Sequence, residues 1–110
     1  MNSEHLQIIK REFPDYDASG LPDLSPMVCE AWHNDICPRF RYYTPRHIAE
    51  LWTDFADPSE RELGGPRFSL YVYTTDDGET ETGTAAQYEW EELPQDVGAF
   101  VLARLGELEK

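Results

Sequence analysis

The chain is short of positive charge. Its 110 residues carry 9 Lys and Arg against 22 Asp and Glu, a formal net charge of −13, and no Lys or Arg falls between Phe68 and Ala103. Binding DNA, RNA or anionic lipid requires basic side chains to neutralise phosphates, so direct contact with those partners is not expected. Long apolar runs are missing too. Nothing approaches the ~20 residues of a membrane-spanning helix, so no membrane partner is expected. The opening M-N-S-E-H-L lacks the basic-then-apolar order of a signal peptide, which makes the cytoplasm the expected compartment. There, two cysteines are expected to be thiols rather than a disulfide. Also absent are a Gly-rich phosphate loop, H-E-x-x-H, G-x-S-x-G and a complete calcium loop. The fragment Thr75-Asp76-Asp77-Gly78-Glu79 lacks the later ligands of an EF-hand. No cofactor is expected.

What is present suffices for a folded core. Apolar residues make up 40% of the chain, with three Trp, six Tyr and five Phe, enough to offset the entropy of ordering one domain over 1–110. Leu6, Ile9 and Phe13 predict a helix over 3–12 with Ser3 as its cap. Residues 14–26, rich in Pro and Gly, read as an irregular loop. The extended patterns 27–33 and 39–43 predict a hairpin. Thr44-Pro45 is a helix-start signal, and Ile48, Leu51, Trp52 and Phe55 lie at helical spacing behind it. The run from Arg67 to Thr74 predicts a strand, and the Asp-Gly turn after it predicts a second hairpin returning within 79–91. Val97, Phe100, Val101, Leu105 and Leu108 predict a final helix over about 95–108.

The expected fold is therefore α+β: an antiparallel sheet of about four strands in two hairpins, helices packed on one face, in the order α-ββ-α-ββ-α. T-P-R-H-I-A-E-L-W parallels L-P-Q-D-V-G-A-F-V position by position. That match reads either as a duplicated ββα unit or as two helices that begin by the same physics.

One cluster invites a catalytic reading: Cys29, His33, Cys37 and His47 fall within 19 residues. They are the alternative candidates for a small metal- or thiol-dependent protein. Zinc sites, however, usually present a C-x2-4-C knuckle, and Cys29 and His33 on one strand would stand about 13 Å apart. Neither cysteine starts a helix, and Glu30 and Asp35 nearby oppose a thiolate. The preferred reading is buried thiols around an Asn34-Asp35 turn. Arg39, Arg41 and Arg46 with Phe40, Tyr42 and Tyr43 form the one basic-aromatic patch. An Arg row of this kind more often pairs with acids on a neighbouring strand than grips nucleic acid.

The acids of the second half are better organised. Along 79–91 the odd positions hold Glu79, Glu81, Glu89 and Glu91, and the even positions hold Tyr88 and Trp90. A regular strand would send the acids to one face, although Gly83 is a natural place for a bulge. With Asp76, Asp77, Glu92 and Asp96 they form the candidate partner-binding set. Carboxylates two residues apart on a strand lie roughly 6.6–6.8 Å apart, close to twice the phosphate rise of a DNA strand. The expected function is a non-enzymatic acidic inhibitor that docks on a basic, nucleic-acid-handling protein and blocks nucleic-acid access, a nucleic-acid mimic in its sharpest form. Small acidic anti-CRISPR proteins, other phage anti-defence proteins and bacterial immunity proteins share this size and charge, a likeness of composition only. The other alternative is a structural subunit of a larger complex, anchored through Tyr71, Tyr73 and Trp90.

Overall fold

The first helix, α1 (Ser3–Glu12), forms where the apolar stripe requires it. In the computed structural model, which describes residues 2–110, the cap is Asn2 rather than Ser3. Its side-chain oxygen accepts from the N–H groups of Glu4 at 2.8 Å and His5 at 3.1 Å, satisfying two donors a helix leaves open. Residues 14–26 hold no helix or strand. Beyond them run β1 (Val28–Cys29), β2 (Arg39–Tyr43), β3 (His47–Thr53), β4 (Phe68–Thr75), β5 (Glu81–Trp90) and α2 (Val97–Leu108), with a short 3-10 turn at Pro58–Glu60. The strands make one five-stranded sheet in chain order, each pair antiparallel. The architecture is α+β, with five strands and two helices among the described residues instead of four and three.

The largest correction concerns 45–55. Thr44 does accept from the N–H of His47 at 2.9 Å, as a helix cap would, but its own N–H donates to the His47 carbonyl at 2.9 Å. That closes a hairpin turn, and the chain then enters β3. β3 lies in the middle of the sheet and is buried along nearly its whole length, Trp52 alone being half-buried. A strand whose residues are buried on both faces loses its alternation, so Ile48, Leu51 and Trp52, drawn from two faces, imitate helical spacing. The duplicated ββα unit falls with it, because 44–52 is turn and strand whereas 97–101 is helix. The expected strand 27–33 shrinks to Val28–Cys29, since the chain turns at Trp32, whose carbonyl accepts from Asp35 at 2.9 Å.

Cross-strand partners share a face, so the register sorts the side chains. Phe40, Ala49, Leu51, Phe68, Leu70 and Val72 point to one side and form the core with Ile9 of α1 and Val97, Val101 and Leu105 of α2. Phe100 of α2 packs edge-on to Tyr88 and Trp90 of β5, with ring centroids 5.2 Å apart in each case. His5 of α1 meets Phe40 at 5.3 Å. Both helices thus cover the same face. Gly98 lets α2 approach the loop before β1: a Cβ there would lie 2.2 Å from the Ser25 carbonyl oxygen.

Candidate functional site

The face without helices carries its own layer of side chains. Arg39, Arg41 and Tyr43 from β2 lie opposite Trp52, Glu50 and Ile48 from β3, which in turn oppose Ser69, Tyr71 and Tyr73 from β4. At its centre Glu50 is 3% exposed. A buried carboxylate requires donors, and this one has four. Arg41 Nε donates at 2.6 Å, Arg39 Nη1 at 3.2 Å, Trp52 Nε1 at 2.7 Å and Tyr73 Oη at 3.3 Å. Arg39 also pairs with Asp35 at 3.5 Å and lies 5.6 Å from the Trp52 ring centre. Arg41 reaches across to Glu81 on β5 at 2.6 Å.

The titration behaviour follows from this packing. Burial, reinforced by the Glu50 charge, pushes the Tyr73 phenol up to about 12. Burial and the Glu30 hydrogen bond raise Tyr43 as well. Burial alone lowers the Arg41 pKa, and its bonds to Tyr43 and Glu50 more than reverse that. The charge of Arg41 is matched by Glu50 and Glu81, and Arg39 pairs with Glu50 and Asp35. Of the Arg row expected from the sequence, Arg39 and Arg41 pair with an acid on the neighbouring strand, Glu50, which the helical reading of 45–55 hides, while Arg46 lies in the turn between β2 and β3.

The predicted acids are distributed around the edge of this face. Two register shifts interrupt β5, one opposite Val72/Tyr73 and one opposite Thr74/Thr75. Unbroken alternation over 79–91 is therefore not what forms. Each shift inserts one residue, and the two together restore the parity, so Glu81 opposite Thr75 and Glu89 opposite Ser69 both reach the uncovered face. Asp76, Asp77 and Glu79 occupy the β4–β5 turn. Asp77 accepts from the N–H groups of Glu79 at 2.8 Å and Thr80 at 2.7 Å; these bonds hold its carboxyl well below the usual range. Gly78, with φ of 80°, supplies the left-handed residue that the turn requires. Glu91 chelates Arg61 through both oxygens. Asp96 caps α2 by accepting from Ala99 N–H at 3.1 Å, and Glu92 is exposed. Asp76, Glu79, Glu89 and Glu92 are thus exposed acids without an ion-pair partner among the described residues.

The cysteines and histidines form no common centre. Cys29 and Cys37 are free and buried. Burial raises both thiols, and for Cys37 the charges of Asp54, Asp35 and Glu62 raise it further. His33 is exposed and pairs with Glu12 at 3.0 Å. His47 is buried against Glu109 at 2.9 Å, and Thr44 Oγ1 donates to the same carboxylate oxygen at 2.6 Å, which ties the end of α2 to the β2–β3 turn. Among the described residues no group of three or more His, Cys, Asp or Glu is arranged to hold a metal ion, and no helix is long and apolar enough to cross a membrane. The expected anchor trio separates likewise: Tyr71 and Tyr73 stack at 5.9 Å on the uncovered face, while Trp90 faces α2. No protein-family model, no curated protein and no solved structure matches the chain.

Proposed function

We infer that this chain is a non-enzymatic binding protein that docks on the basic surface of a nucleic-acid-handling protein and blocks access to it. One observation carries the reading. Five of the nine Lys and Arg are already engaged: Arg11, Arg39, Arg41, Arg61 and Arg104 each pair with a carboxylate. The β4–β5 hairpin and the exposed acids around it are left with no cation of their own between Phe68 and Ala103. Such a field steers a basic partner toward β5 and disfavours acidic ones. Beside it the uncovered face offers Trp52, Tyr71 and Tyr73, all half-buried, with Trp52 and Tyr73 hydrogen-bonded to Glu50 and Tyr71 stacked on Tyr73. Aromatic anchors inside a charged rim are the usual anatomy of a protein interface. Charge density, rather than a row of acids at phosphate spacing, supports the nucleic-acid-mimic form, because the register shifts remove the regular row.

The test is capture from a bacterial lysate at low and high salt, read by mass spectrometry. It is repeated with Asp76, Glu79, Glu89 and Glu92 all replaced by Lys. The expected result is a basic nucleic-acid-binding protein, captured at low salt and lost in the variant, with far-UV circular dichroism unchanged. Equal capture by the variant contradicts the reading.

A further inference from the structure

This inference rests on the acidic-docking reading and concerns the form of the partner. β5 is the last strand of the sheet: β4 pairs one side of it and no strand among the described residues pairs the other. The opposite edge, β1, is two residues long, whereas β5 has ten. Both register shifts fall in its first half, and from Ala86 to Trp90 the ladder with Val72–Phe68 is regular. Five regular residues present about 17 Å of unpaired backbone donors and acceptors, a template for an added strand.

The two sides of that edge differ in chemistry. Toward the uncovered face stand Gln87 and Glu89, both exposed. Toward α2 stand Tyr88 and Trp90, stacked at 5.9 Å and only half-buried, with Phe100 edge-on behind them. A strand laid along this edge alternates its side chains between these surfaces, so it is matched by basic residues on one side and apolar residues on the other. A second copy is the poorer occupant, since two chains of −13 would meet with Glu89 near its own counterpart. The geometry points to an extended peptide segment of alternating basic and apolar residues, added to the sheet along Ala86–Trp90.

The probe is a capped Lys-Val-Lys-Val-Lys-Val peptide, with the same peptide N-methylated at every residue, so that neither edge keeps an N–H donor, as its control. N-methylation removes strand pairing and keeps the charge. The expected result is salt-sensitive binding of the first peptide and new amide protection at 86–90. The methylated form binds at least about tenfold more weakly, as the loss of two or three backbone hydrogen bonds requires. Glu89→Lys weakens the first peptide without altering the fold. Equal binding of both peptides overturns strand addition and leaves acidic docking standing. If neither peptide binds while lysate capture is salt-sensitive, strand addition again falls alone. A dimer in about 1 M salt, where repulsion is screened, with 86–90 protected in the absence of peptide, assigns the edge to a second copy and overturns the inference.

Discussion

Replacing Glu50 by Ala strands two guanidinium groups. The lost carboxylate has a side chain 4% exposed and accepts from Arg41, Arg39, Trp52 and Tyr73. Removing one member of a buried ion pair typically costs 3–5 kcal/mol, about, because the other charge stays buried. Here the stranded groups are not fully sealed: the Arg39 side chain is 25% exposed and Arg41 13%, and each keeps a second acid, Asp35 or Glu81. The loss therefore falls at the low end, about 3 kcal/mol. At a urea m-value near 1.5 kcal/mol/M that lowers the unfolding midpoint by about 2 M, with m unchanged. Tryptophan fluorescence during urea titration reads it. A double-mutant cycle with Arg41→Leu isolates the pair, and its coupling is expected near 2 kcal/mol, an order-of-magnitude figure for partners in one network. A loss under about 1 kcal/mol, or a coupling under about 0.5 kcal/mol, refutes the claim that Glu50 organises the uncovered face.

Three further outcomes follow from the packing. Gly98→Ala gains up to about 1 kcal/mol of helix propensity but drives a Cβ to 2.2 Å from the Ser25 carbonyl oxygen. Overpacking wins, and thermal unfolding is expected to show a net loss of about 1–2 kcal/mol; a stabilised variant would refute the close approach. The carboxyl of Glu12 is lowered to about 2 by hydrogen bonds to Arg11 and His33, and those of Asp17, Asp23, Asp57, Glu91 and Glu109 are lowered by their own partners. The unfolded chain binds more protons in that range, so stability is held above about pH 4.5 and declines as pH falls toward 2. A urea midpoint at pH 3 equal to that at pH 7 contradicts this. Burial of Cys29 and Cys37 predicts that both thiols react with Ellman's reagent roughly a hundredfold more slowly in native than in denatured protein; rapid native labelling refutes it.

How much of this was legible beforehand varied with the kind of signal. α1, β2 and α2 announce themselves by a one-sided pattern, and the β4–β5 hairpin by its aromatic, β-branched run and its Asp-Gly turn. β3 has no such pattern, its residues being buried on both faces, and its Thr-Pro turn borrows the chemistry of a helix cap. That single misreading also concealed the site. With 45–55 read as a helix, Glu50 has no strand neighbour, whereas on a strand it lies directly opposite Arg41. The bulges in β5 had one visible cue, Gly83, and their compensation had none, since it depends on pairing with β4. The close approach at Gly98 has no local cue, because its neighbour, Ser25, is remote in sequence.

Hydrogen exchange of the chain, alone and bound to the basic protein it captures, tests the docking surface most directly. The account predicts new protection in the β4–β5 turn, along β5 and on β4 where Tyr71 and Tyr73 stand, with α1 and α2 unchanged. Protection confined to the helices, or a complex whose affinity is indifferent to salt, would contradict it.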